Sequence, residues 1–175
     1  QLGQVLAEAP RDRMLLSFLM GVAYGVGGTS FNVSIRYIGF SLTYAIAVGL
    51  SSVLGTLVPP LVRGSFGELW SRVGSAWVFG GVAVGAVGIA ICGAAGRFKE
   101  ADLKASSAGA GEFSLAKGLL LSLLAGILSA VYGFALEVAA PVVDLAEQHG
   151  AGIWKGNVAY IFANTGAFVT AALYS

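Results

Sequence analysis

Tyr24, Gly28, Asn32 and Arg36 stand four residues apart. On a helix that spacing sets them along one gently drifting side, with a small residue in the middle. A phenol, an amide and a guanidinium in one groove can donate and accept hydrogen bonds together. That suits the hydroxyls of a neutral polyol, and a tyrosine ring can cover an apolar sugar face. The plainer alternative has Asn32 bonding a neighbouring helix and Arg36 reaching out to an interface. Tyr44 adds a second ring and hydroxyl to the same stretch, Phe18 to Gly49. Asn164, beside Thr165, offers another amide far along the chain. Its plain role is an interhelical hydrogen bond, worth about 0.6 kcal/mol on average within membranes.

Glu137 is the one acid well inside an apolar run. A carboxylate in hydrocarbon costs several kcal/mol and tends to take up a proton. Such a group is neutral when loaded and charged when empty, as a proton-coupled carrier requires. The alternative is an interfacial carboxylate, because Glu137 falls about 28 Å along a helix counted from Gly118 at 1.5 Å per residue.

Other chemistry is excluded by pattern. His149 is the chain's single histidine and has no ligand spacing around it, so no metal site is expected. Cys92 is the single cysteine and cannot form an intrachain disulfide. Gly25 to Gly28 follows no strand and precedes no GK[ST], so it is no phosphate loop. Asn32-Val-Ser34 matches a glycosylation pattern but lies in an apolar span. No catalytic constellation is visible, so an enzyme is not expected, nor is a cofactor. Basic runs with interleaved aromatics are lacking, which argues against nucleic acid as a partner.

The elements that must position these residues are membrane helices. The chain is 57% hydrophobic and only 11% charged, against about 25% charged in a soluble domain. A soluble fold could not cover that much apolar surface. Spans are predicted at about 14–35, 42–60, 73–96, 118–143 and 157–174, with a polar, flexible linker over 97–117. The fold class is all-α: a polytopic helix bundle of about five transmembrane helices, in one membrane domain over 1–175. Gly39 is the expected helix stop in a hairpin of about six residues, and Pro59-Pro60 with Arg63-Gly64 should end the second span. Gly21 to Gly25 and Gly81 to Gly85 are small-xxx-small packing motifs, and Gly27-Gly28 is a candidate kink. Ser114 is a possible N-cap. The concentrated Arg97, Lys99, Lys104 and Lys117 cluster favours a cytoplasmic linker. The chain starts at Gln1 and stops directly after an apolar run, which reads as a piece of a longer protein.

One stretch is more specific. GVAYGVGGTSFNVSIRYIGFSLTYAIAVGLSSVLGTLVPPLVRGSF contains the hairpin Ile35-Arg36-Tyr37-Ile38-Gly39-Phe40-Ser41 and the run Gly55-Thr56-Leu57-Val58-Pro59-Pro60. It resembles the third and fourth helices of the bacterial L-rhamnose–proton symporter family, in the drug/metabolite transporter superfamily. FSLAKGLLLSLLAGILSA resembles the family's next helix, and the resemblance covers roughly Leu15 to Ser175. It implies a ten-helix carrier, of which this chain matches about helices three to seven. The implied activity is uptake of L-rhamnose with a proton across the bacterial inner membrane, by alternating access. The resemblance brings no site residues with it; those rest on the chemistry above. The partners expected are a sugar, a proton and the lipid bilayer. A carrier of another metabolite is the nearest alternative, since one fold serves many substrates. A non-transporting membrane scaffold or sensor is the alternative from a different class.

Overall fold

The computed structural model describes residues 2–106 and 113–174. It holds α1 (Leu2–Glu8), α2 (Arg11–Ile38), α3 (Phe40–Val62), α4 (Phe66–Ser71), α5 (Ser75–Ser106), α6 (Leu115–Val138), α7 (Ala140–Gln148) and α8 (Asn157–Tyr174), with a 3-10 turn at Gly152–Trp154. Four segments are long and apolar enough to cross a membrane: Arg11–Ile38, Phe40–Val62, Ser75–Lys99 and Leu115–Gln148. The chain is therefore an all-α membrane helix bundle. The fifth expected span folds as α8, 18 residues long, but it is not among those four. Asn157, Tyr160, Asn164 and Thr165 dilute its apolar content.

Four boundaries differ from expectation, one being the single span expected over 118–143, which divides between α6 and α7 at Ala139. The hairpin of about six residues shrinks to Gly39 alone, with φ 83 and ψ 163. A side chain is strained there, so glycine lets α3 start one residue after α2 stops. Next, α3 runs through Pro59 and Pro60 to Val62 and stops at the expected Arg63-Gly64. Each proline removes a donor but keeps its acceptor: the Pro59 carbonyl accepts from Arg63 N–H at 3.1 Å, and that of Pro60 from Ser65 N–H at 2.9 Å. Finally, α5 continues through Arg97 to Ser106, half of the segment expected to be linker. Its residues there include Arg, Lys, Glu and Ala, which are good helix formers. The Ser/Ala/Gly centre of that segment, 107–112, lies outside the described residues.

The chain divides into two compact units, Gln1–Val26 with Val131–Ser175, and Gly27–Ala130. In the first unit, Val5, Ala9, Val142, Ala146 and Val158 form a small core under Met14 and Phe162. His149 Nε2 lies 3.2 Å from a Glu8 carboxylate oxygen and joins α7 to α1. Lys155 donates to Glu147 at 2.6 Å. The Gly21–Gly25 motif does pack closely. A Cβ at Gly21 would strike the backbone of Ala163 in α8, and one at Gly166 would strike the backbone of Phe18 and Val22. The two helices therefore meet backbone to backbone, as small residues permit.

In the second unit, Ile38, Ile46 and Leu115 form the core, with Leu42, Ile89, Cys92 and Leu119 around it. α6 approaches α2 and α3 through glycines: a Cβ at Gly118 would strike Ile38, and one at Gly126 would come within 2.8 Å of the Ala47 carbonyl. The Gly81–Gly85 motif behaves differently. A Cβ at Gly81 would meet nothing within 4 Å, and one at Gly85 only Val53, at 3.8 Å. Small residues allow a close approach but do not supply the partner. α5 meets α3 elsewhere, at Gly49 against Ile89.

Three buried hydroxyls tie α2, α3 and α6. Ser34 Oγ lies 2.7 Å from the Gly118 carbonyl, 2.7 Å from Ser122 Oγ and 3.2 Å from Thr43 Oγ1. A carbonyl can only accept, so Ser34 gives it its one proton. Ser34 must then accept from Ser122 and Thr43, which uses both its lone pairs. The network is closed, with no proton to spare for transport. Ser34→Ala is expected to lower stability by about 1–2 kcal/mol, a modest loss because Ser122 and Thr43 can turn to carbonyls of their own helices. A denaturant titration of the purified protein checks this, and an unchanged midpoint would show the network to be energetically idle.

Candidate functional site

α2 presents two chemically different sides. Gly21, Gly27, Ser30, Ser34 and Ile38 are buried, while Val26, Gly28, Asn32 and Arg36 are exposed. Over the second-unit part of α2 the 3.6-residue period sets Gly27, Ser30, Ser34 and Ile38 on one side and Gly28, Asn32 and Arg36 on the other, whereas Gly21, seven residues before Gly28, lies on the stripe's side and packs on α8. A Cβ at Gly28 would meet nothing within 4 Å.

In the first unit, Tyr24 is half-buried and stacks against Tyr132 of α6, ring centroids 4.6 Å apart and planes tilted by 45°. The Tyr132 hydroxyl donates to Asn164 Oδ1 at 2.6 Å. Two expected site residues, Tyr24 and Asn164, are thus joined through a third that the sequence pattern does not single out. Asn164 is exposed on α8, one turn after the exposed Tyr160. Thr165 does not join them: its hydroxyl returns to the Ile161 carbonyl one turn back. Glu137 belongs to the same unit. It is exposed, in the last turn of α6, just before Pro141 opens α7.

In the second unit, Asn32 and Arg36 are exposed one turn apart. Tyr44 stacks on Phe40 with centroids 5.5 Å apart and meets Phe31 edge-on at 6.4 Å. Tyr44 and Phe40 are both more than half exposed, at 51% and 59%, so this aromatic group is an open face and not a core. Cations gather at the hairpin. Lys117 lies over the Tyr37 ring at 5.6 Å and Lys99 over Phe113 at 5.1 Å. Ser52 donates to the Val48 carbonyl at 2.9 Å, a bond within its own helix.

The expected stripe therefore divides. Tyr24 has its partners in the first unit, and Asn32, Arg36 and Tyr44 have their surroundings in the second. Cavities lie elsewhere: one of about 380 Å³ beside His149 and Lys155, another of about 420 Å³ beside Gly39 and Lys99. Neither includes Tyr24, Tyr132 or Asn164. Among the described residues, no group of three His, Cys, Asp or Glu could hold a metal ion. Chemically, the Tyr24–Tyr132–Asn164 cluster offers aromatic faces, a phenol oxygen and an amide without any charge. That set recognises neutral, hydroxyl-rich molecules better than ions.

A family model described as L-rhamnose-proton symport protein (RhaT) matches residues 8–172. The L-rhamnose-proton symporter of Mannheimia succiniciproducens is 38% identical over 139 residues, covering 79% of this chain and 40% of that protein. The L-rhamnose-proton symporter of Cronobacter sakazakii is 38% identical over 137 residues, 78% of this chain and 39% of that protein. One from Yersinia pestis bv. Antiqua is 36% identical over the same length. The chain thus spans about two fifths of the length of these curated relatives. No solved structure matches it.

Proposed function

This chain belongs to the L-rhamnose-proton symport protein family, and from that premise we propose that the protein takes up L-rhamnose together with a proton, by alternating access, across the bacterial inner membrane. The observation that carries the sugar half of this reading is the Tyr24–Tyr132–Asn164 cluster. It places hydrogen-bonding groups without charge on apolar helices, which suits a neutral sugar. Tyr24 and Asn164 are the first-choice sugar contacts. Asn32, Arg36 and Tyr44, each exposed, are further polar groups offered for sugar contact. Glu137 is the proton-coupling carboxylate, because α6 holds no other acid. The Lys99 and Lys117 end of the second unit faces the cytoplasm, following the positive-inside preference.

The test is uptake of labelled L-rhamnose by vesicles carrying the full-length protein, with and without an imposed pH gradient. Accumulation that collapses with an uncoupler is the expected result. No uptake, or uptake indifferent to the uncoupler, would sink the proposal. A panel of other sugars in the same vesicles separates L-rhamnose from a different substrate.

A further inference from the structure

Tyr132 has one proton to give, and the structure commits it. At 2.6 Å its hydroxyl donates to Asn164 Oδ1. A phenol is a better donor than acceptor, so this arrangement is the favoured one. It has two chemical consequences. The Asn164 amide is oriented with its oxygen toward Tyr132, which turns its N–H donors the other way. The phenol oxygen keeps lone pairs able to accept. Beside them, the Tyr24 and Tyr132 rings lie 4.6 Å apart and offer apolar surface. A sugar presents this complement: one hydroxyl to accept from an amide N–H, a neighbouring hydroxyl to donate to a phenol oxygen, and C–H groups to lie on a ring.

We propose that Tyr132 is a substrate-recognition residue of the sugar site, holding the Asn164 amide in its donor orientation and accepting from a second sugar hydroxyl. The inference rests on the reading of the protein as a sugar carrier, and it adds a residue that the spacing of polar groups did not select. Tyr132 and Asn164 act as one unit. Removing the Tyr132 hydroxyl forfeits both its own sugar contact and the Asn164 orientation, so removing both groups should cost little more than removing that hydroxyl alone.

The test uses purified full-length protein and reads the midpoint of thermal stabilisation as each of several neutral sugars, L-rhamnose included, is titrated. Tyr132→Phe keeps the ring against Tyr24 and removes only the hydroxyl. It should raise the half-saturating concentration of the bound sugar about 3- to 10-fold. Asn164→Ala should do the same, and the double variant should stay within about twofold of the weaker single variant. Wild-type affinity in Tyr132→Phe overturns the inference. So does a double variant whose loss equals the product of the two single losses. Should Tyr132→Phe fail to fold, Asn164→Ala decides alone, and unchanged binding by it also overturns the inference. If no neutral sugar stabilises the wild type, the inference falls as well. If a sugar binds as described but proton-driven uptake is missing, only the functional reading fails.

Discussion

Gly166→Ala is expected to destabilise the protein by about 3 kcal/mol or more, which is large for one methyl group. Its Cβ would strike the Phe18 carbonyl and come within 2.8 Å of Val22 N and 3.0 Å of the Gly21 carbonyl carbon. All three are backbone atoms of α2. A flexible side chain could swing aside, but a helix backbone can yield only by moving the helix. Gly21 faces the same seam from the other side, against Ala163, so α2 and α8 cannot slide to relieve one contact without compressing the other. Within a membrane, packing of this kind supplies much of helix association, because lipid is as apolar as the helices it surrounds. Gly133→Ala is the comparison, since a Cβ there would meet nothing within 4 Å. It should be neutral or gain up to about 1 kcal/mol from helix propensity. Denaturant midpoints of the two variants check this. Equal midpoints would show that the seam gives way easily.

That seam was half visible in the sequence. The Gly21–Gly25 spacing marks a helix side able to approach another closely, and α2 does so. The same spacing at Gly81–Gly85 meets only the Val53 side chain, at ordinary contact distance, and no backbone. Spacing reports what a helix surface permits. The partner is chosen by tertiary structure, which a local pattern does not encode. Helix existence was legible for a different reason. Long apolar runs leave the backbone no way to satisfy its hydrogen bonds in lipid except within a helix. Helix ends were less so. Charge in Arg97–Ser106 signals water and predicts a linker, yet a helix can continue into water if its residues are good helix formers.

The candidate site was legible residue by residue but not as an assembly. Tyr24 and Asn164 stand out because polar groups are costly in an apolar run. No pattern singles out Tyr132, although it is the one tyrosine of α6. A tyrosine in an apolar helix has many ordinary roles, and its hydrogen-bond partner lies 32 residues away. The stripe from Tyr24 to Arg36 follows from helical periodicity alone. Periodicity aligns residues on one helix and says nothing of which neighbours each one meets, and Tyr24 meets Tyr132 while Asn32 and Arg36 are exposed.

Glu137→Gln is expected to abolish uphill transport while leaving sugar exchange in place. A proton carried with each sugar couples uptake to the membrane potential, worth about 2.3 kcal/mol per 100 mV for one charge. At about 1.4 kcal/mol per tenfold, that supports roughly 50-fold accumulation. Glutamine copies the shape and neutrality of the protonated acid but cannot release a proton. It should hold the carrier in its loaded chemistry, able to bind sugar and cross, unable to return charged and empty. Accumulation in vesicles should then fall from tens-fold to about onefold, even with a full gradient. Exchange of labelled for unlabelled sugar needs no net proton movement and should persist. The position of Glu137, exposed in the last turn of α6 beside the Pro141 break, gives it a place where helix packing does not bury the carboxylate. Two results count against it. Wild-type accumulation by Glu137→Gln would make the group an ordinary interfacial carboxylate. Loss of exchange together with accumulation would give it a role in binding or folding, and coupling would then have to reside in another carboxylate.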